Sequence, residues 1–299
     1  MNYTQEQMPE THIASLATSA SMVELTIGVP TFRKKDKKVE AEAEVSNGAA
    51  KGTVSASKKT IISKKHKAIE SLRNAIRSEY HYKKTSPWLA SGIRLLPNGV
   101  LIDYQNTMVD FQKEFELLVD DFMDDYAWEI AEAQLKMGQL FDPKLYPPVD
   151  VMRRKFYMTV KIMPLPDSGD FRLDIPKQAQ EDLREQYDSF YKSQIVAITE
   201  DIMQKLHTPL SNMSKMLDYA AEDKPTGFRD TLVQNVLEVV DVMKTCNVAQ
   251  DPKVEQIRLE LRDALIGVTP DTLRNSETQR VNTKEKVDRI IASLPSLDM

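Results

Sequence analysis

The run Asp120-Asp121-Phe122-Met123-Asp124-Asp125 is the part of this sequence nearest in type to a reactive centre. It matches the aspartate-rich DDxxD pattern that can hold magnesium and, through it, a diphosphate. Carboxylates four residues apart share a helix face, so Asp121 pairs with Asp125 and Asp120 with Asp124, and magnesium is usually held by one or two carboxylates plus substrate phosphate. Against this, acidic residues continue from Asp110 to Glu132, no second acidic motif matches the first, and Phe122 and Met123 lie on or beside an apolar seam. The run is therefore read as a solvated acidic helix face that binds no specific metal. No cofactor is expected.

Other nucleophile and ligand types are scattered. His12, His66, His81 and His207 stand apart, none at metal-ligand spacing from another His or a Cys, and each is expected at the surface. Cys246 has no nearby histidine in sequence to activate it, and as the sole cysteine it can form neither an internal disulfide nor a thiolate zinc site. Neither GxxxxGK[ST] nor GxGxxG occurs, and nine glycines in 299 residues leave few positions for phosphate-cradling loops. No catalytic residue is assigned, and the chain is read as a non-enzyme.

One segment mixes cations with aromatics. Lys64, Lys65, Lys67, Arg73, Arg77, Lys83, Lys84 and Trp88 are the candidate nucleic-acid-binding residues, because cations neutralise phosphates and aromatic rings stack on unpaired bases. An intramolecular role competes with that one. Residues 58–84 carry nine Lys/Arg against two Glu, a net +7, whereas residues 100–142 carry two Lys/Arg against eleven Asp/Glu, a net −9. With the whole chain at −5, mutual neutralisation of these neighbouring segments is the favoured reading.

The elements that must position these residues are mostly helical. Tyr104, Met108, Phe111, Phe115, Leu118, Phe122, Tyr126 and Ile130 recur at three- and four-residue spacing and form a packing seam. Ile62, Ile69, Leu72, Ile76 and Tyr80 predict a basic helix over 58–80. From Lys177 to Tyr219 a stripe from Leu183 to Leu217 keeps helical spacing for about 60 Å at 1.5 Å per residue, unless Pro209 breaks it. The two longest stripes are expected to pack on each other. Shorter helices are expected at 149–155, 228–246, 253–266 and 283–294. Alternation over 22–29, and β-forming residues at 156–163 and 171–175, predict a small sheet. Residues 40–57 read as a mobile, low-complexity linker.

At 299 residues and 34.1 kDa a sizeable core is available. No run approaches the ~18 apolar residues of a membrane span, and the N-terminal residues lack the pattern of a secretory signal. The lone cysteine fits a reducing compartment, so a cytoplasmic, non-membrane location is expected.

Trp88-Leu89-Ala90-Ser91-Gly92-Ile93-Arg94-Leu95-Leu96-Pro97 leads into the aromatic seam. Pro148-Val149-Asp150-Val151-Met152-Arg153-Arg154-Lys155-Phe156 leads into the strand of Val160 and Ile162, and Val268-Thr269-Pro270-Asp271-Thr272-Leu273-Arg274 precedes a terminal helix. This order, across residues 20–294, resembles an uncharacterised family of phage and prophage proteins, a domain of unknown function. Genes of that family often lie beside a MoxR-type AAA+ ATPase and a von Willebrand A-domain protein. The resemblance implies a host-cytoplasmic location and those two proteins as partners. It supplies no catalytic residues.

The fold expected is mainly α, with an elongated antiparallel helical hairpin or coiled-coil core and a small accessory β-sheet. The organisation expected is a disordered tail at 1–20, a strand and linker at 21–57, a helical core with a β-hairpin at 58–220, and a C-terminal helical subdomain at 221–299. The function expected is that of a non-catalytic adaptor or assembly protein working through helical protein–protein surfaces. The alternative is a single-stranded nucleic-acid-binding protein using residues 58–88. Homo-oligomerisation is left open.

Overall fold

The computed structural model describes residues 16, 18–90, 92–166, 176–218, 231–247 and 251–294. The second strand expected at 171–175, most of the tail at 1–20 and the side chain of Cys246 lie outside the described residues. In chain order the elements begin with β1 (Ala20–Gly28), β2 (Arg33–Lys35), α1 (Lys37–Ser46), β3 (Ser57–Lys59) and α2 (Lys64–Asn74), which continues as a π-helix (Ala75–His81). Next come β4 (Ser86–Pro87), β5 (Ile93–Pro97), α3 (Leu101–Asp124), α4 (Tyr126–Met137), α5 (Val149–Arg153) and β6 (Tyr157–Pro164). The remainder is helical: α6 (Lys177–Leu217), α7 (Thr231–Cys246), α8 (Pro252–Leu265), α9 (Pro270–Asn275) and α10 (Glu277–Ser293). The described residues are thus mainly α with a small antiparallel sheet.

The chain forms two compact units interleaved along the sequence. One contains Met1–Glu24, His81–Tyr104 and Lys161–Met299; the other contains Leu25–Tyr80 and Gln105–Val160. The sheet has the order β4-β5-β1-β6, with Ala20 opposite Pro97 and Glu24 opposite Ile93 in the antiparallel β1–β5 pair.

In the first unit the core is built on α6. Its stripe is buried from Tyr191 to Leu217 and is packed by α7 and α10, while α8 packs on both of those helices. Val233, Val236, Val240 and Met243 from α7 and Val287 and Ile290 from α10 recur at helical spacing, so each helix gives α6 a matching apolar face. The long stripe therefore takes its partners from its own unit, a correction to the expected pairing with the aromatic seam. The same continuous core runs across the boundary expected at 220/221. Pro209 does not break α6, because a proline inside a well-packed helix removes one hydrogen bond without displacing the buried stripe around it.

Trp88 belongs to this core. It is buried, with its ring edge-on to Tyr191 at 5.0 Å and to Phe190 at 5.5 Å. Nearby, Lys205 Nζ donates to the Thr85 carbonyl at 2.8 Å and pairs with Asp201 at 2.7 Å, and Arg94 Nε donates to Thr85 Oγ1 at 2.7 Å. The Arg94 guanidinium also lies 4.8 Å above the Tyr82 ring. These bonds tie the segment around Thr85 to α6.

In the second unit α1 replaces the linker expected at 40–57. Asp36 caps it by accepting from Lys38 N at 3.2 Å and Val39 N at 3.4 Å. Glu40 and Glu44 then turn inward: Glu40 Oε1 accepts from Ala56 N at 3.0 Å and Glu44 Oε1 from Gly52 N at 2.6 Å. Two carboxylates four residues apart thereby bind the backbone of the following loop, which supplies the stability that composition alone denies the segment.

Candidate functional site

The acidic run and the basic helix meet within the second unit. α2 starts at Ser63, whose Oγ accepts from His66 N at 3.4 Å, and buries Ile69 and Ile76. The first residues of the predicted helix are otherwise placed: Ser57–Lys59 form β3, and Ile62 is exposed. Near the start of α2 the His66 ring lies 5.8 Å from Phe122, and at the end of the following π-helix Tyr80 lies 5.4 Å from Phe111. Ascending numbers on one helix meet descending numbers on the other, so α2 and α3 run antiparallel. Tyr104, Met108, Phe115, Phe122 and Tyr126 of the seam are buried, while Phe111, Leu118 and Ile130 are half-buried.

Lys65 joins the two charge runs. Its Nζ lies 2.6 Å from Asp121 Oδ1 and 2.7 Å from Asp125 Oδ2, and those carboxylates push its pKa up to about 12. Asp120 pairs with Arg153 at 3.1 Å. The helix itself stops at Asp124, and Asp125 leaves helical geometry at φ −93°, ψ 2° before α4 begins. Three of the four aspartates of the run are thus paired with cations. Among the described residues no group of three or more His, Cys, Asp or Glu is disposed to hold a metal.

Two histidines correct the expectation of surface positions. His66 is buried among Phe32 (4.7 Å), Phe122 and Phe156 (6.4 Å), with Nε2 2.7 Å from the Pro30 carbonyl. Burial pushes its pKa below the ordinary value, opposed by Glu70, whose carboxylate is 3.7 Å from Nδ1. His81 is buried with Nδ1 2.7 Å from Tyr104 Oη.

The candidate nucleic-acid residues are divided. Lys64 and Lys67 are exposed on α2, and Arg73 is bonded to Asn74 Oδ1 at 3.1 Å; Lys65 is held by its two aspartates. Arg77 is half-buried in the π-helix. Lys83, Lys84 and Trp88 belong to the other unit, and Trp88 is buried in its core, which corrects its assignment as a stacking platform. An aromatic ring packed edge-on by two others has no face to offer a base.

Two surfaces of the second unit are not marked by sequence motifs. On α4, Trp128, Ala131 and Leu135 at spacings of three and four form an exposed apolar stripe, with Trp128 61% and Leu135 85% exposed. Tyr126 and Ala133 on the opposite side are buried, so α4 is apolar on both faces. The second surface is a cleft of about 620 Å³ lined by Arg33, Lys34, Lys144, Arg154, Lys155 and Tyr157 together with small and apolar residues, and with no Asp or Glu. Beside it Phe32 adopts φ 48°, a left-handed conformation costing an aromatic residue about 1–3 kcal/mol. It is held there by the burial of its ring and by Thr60 N, which donates to its carbonyl at 2.8 Å. A period-based reading misses this cleft because its cations come from separate short elements.

No helix among the described residues is long and apolar enough to cross a membrane. No family model, no curated protein and no solved structure matches this chain.

Proposed function

We propose that this protein is a non-catalytic adaptor or assembly subunit that binds a partner helix on α4. The observation that carries the reading is the stripe of Trp128, Ala131 and Leu135, an apolar row over two helical turns with a large exposed tryptophan at one end. Exposed apolar rows of this kind mark interaction sites, and tryptophan is enriched among residues that dominate binding energy. Asp124, exposed and, among the described residues, the one aspartate of the run not held by a cation, lies on the preceding turn, so a partner helix with an apolar stripe and a basic residue at its flank is complementary. In the expected fold, an elongated helical-hairpin or coiled-coil core would serve as the rigid support of this surface. By the resemblance noted above, the partner is a MoxR-type AAA+ ATPase or its von Willebrand A-domain companion, acting in the cytoplasm of a phage-infected cell.

The test is binding of the purified chain to each of those two proteins by surface plasmon resonance, with Trp128→Ala/Leu135→Ala as the variant. Micromolar or tighter binding to one of them, weakened at least tenfold in a variant of unchanged melting temperature, supports the reading. Binding to neither, or binding that ignores the substitutions, removes it.

A second reading, single-stranded nucleic-acid binding through residues 58–88, is favoured by the exposed Lys64 and Lys67 on the first turn of α2. It loses Trp88 to the core and Lys65 to an ion-pair cluster, and the exposed ring that remains in the segment, Tyr82, already carries the Arg94 guanidinium over it.

A further inference from the structure

We propose that the basic cleft of the second unit binds single-stranded nucleic acid, with phosphates among Arg33, Lys34, Lys144 and Lys155 and one base stacked on Tyr157. The proposal stands apart from the α4 adaptor surface. It shares the chemistry of the second reading above and none of its candidate residues.

The first support is electrostatic. Several cations elsewhere in this unit are matched by acids, Lys58 with Asp36 at 3.1 Å, Lys35 with Glu40 at 3.3 Å and Lys65 with two aspartates, while others, Lys64 and Lys67 among them, stand singly on exposed helix faces. What sets the cleft apart is that its cations share one concave site that no Asp or Glu lines. Arg154 pairs with Asp150 at 2.9 Å on the exposed side of α5, but Arg33, Lys34, Lys144 and Lys155 form no ion pair among the described residues. Like charges gathered in a concave site repel one another and raise the local concentration of anions. A concave site of this sign is complementary to an anionic ligand.

The second support is the aromatic ring. Tyr157 is 48% exposed, and its ring lies against the backbone of Gly28, where an added Cβ would sit 2.2 Å from Cε1. Glycine at this position is what lets the ring lie there, so the cleft has a tyrosine at its wall, and base–aromatic stacking suits unpaired bases of any sequence.

The third support is extent. In the β2–β3 ribbon Arg33 is opposite the exposed Lys59, so one further cation lies beyond the cleft, while Lys34 is opposite Lys58, which Asp36 holds. A directly opposed Arg–Lys pair is unfavourable in an isolated ribbon. The cleft itself falls within the ~300–1,000 Å³ range of ligand sites. The cations come from a ribbon, a turn and the end of a short helix, and Lys59 and the Tyr157 ring beside them offer a strand a further phosphate contact and a base contact. The positive φ of Phe32 sets the direction in which Arg33 and Lys34 leave the preceding turn.

The experiment is fluorescence anisotropy with a labelled single strand of about 20 nucleotides at about 50 and 200 mM salt. Wild type is compared with Arg33→Glu/Lys155→Glu, Tyr157→Ala and Lys64→Glu/Lys67→Glu, each checked for unchanged helicity and melting temperature. Counterion release gives a slope near −0.7 per phosphate contact, so four contacts predict about a 50-fold loss of affinity between the two salt concentrations. The cleft reversal should abolish binding, Tyr157→Ala should weaken it at least about fivefold, and the α2 reversal should leave it within about twofold. If the Arg33/Lys155 reversal does not fold, Lys155→Gln alone must still lower both the affinity and the salt slope. No binding at the lower salt overturns the proposal. Loss confined to the α2 reversal returns the activity to residues 58–88. Equal affinity for a duplex removes the stacked base, and competition by ATP or inorganic phosphate as effective as that by unlabelled strand replaces the strand with a small phosphate ligand.

Discussion

Lys65 Nζ lies 2.6 Å from Asp121 Oδ1, which joins the first turn of the basic helix to the last turns of the acidic one. Asp125 completes the cluster at 2.7 Å. Because all three groups are partly solvated, salt screens their attraction and the stabilisation is modest. Lys65→Ala should lower the melting temperature by no more than about 2–4 °C at low ionic strength and by less in high salt. The raised lysine pKa, up to about 12, makes its contribution present below the ordinary 10.5 and lost only as pH rises through that higher value. A melt of wild type, Lys65→Ala, Asp121→Asn and the double variant isolates the pair. No coupling between the two substitutions would mean that the contact is not maintained in solution.

Acid should destabilise the second unit through His66. Its folded pKa is depressed by burial, with Glu70, Arg73 and Glu129 as the surrounding charges, so between the folded value and the ordinary 6.5 the unfolded chain binds more protons. Stability from this group is therefore full above about pH 6.5 and falls as pH drops below it. The difference in melting temperature between about pH 7.5 and about pH 5.5 should shrink in His66→Gln, although that variant is less stable at both. An unchanged pH dependence would place the titration elsewhere.

Phe115 is only 2% exposed at the centre of the seam. Phe115→Asp places an unpaired charge in an apolar environment and should cost several kcal/mol, enough to unfold the second unit. Circular dichroism and thermal melting read the outcome, and a variant with wild-type helicity and melting temperature would mean that the seam is open.

Glu40 and Glu44 make α1 and its loop one structure. Glu44→Ala leaves Gly52 N without its acceptor, and removing a bond to a charged group costs about 1.5–3 kcal/mol. The expected result is faster proteolysis within residues 50–56, with α3 and α4 unaffected. Equal protease resistance in wild type and variant would show that other bonds hold the loop.

Much of the helical framework is legible in one dimension. The seam from Tyr104 to Ile130, the stripe on α6 and the helices near 231–246, 252–265 and 277–293 repeat every three to four residues, and a stripe that wide must be buried to form a stable helix. The same holds for β1, where alternation over 22–29 and Pro30 mark a strand end near the observed Gly28. Residues 40–57 show the limit of this reasoning. Their composition is that of a linker, and only the loop amides brought to Glu40 and Glu44 make them ordered.

By itself the sequence determined most of the longer helices, their apolar faces and where opposite charges are concentrated, because these follow from residue type at fixed spacing along the chain. Tertiary structure alone decided that α6 is covered by α7 and α10, that Trp88 lies in a core, and that His66 is enclosed by aromatic rings. It also decided that Arg33, Lys34, Lys144 and Lys155 line one cleft free of acids. Periodicity states that a face needs a partner but carries no information about which one. That choice depends on complementarity of shape and charge between segments distant in sequence, and only the folded chain brings those segments together.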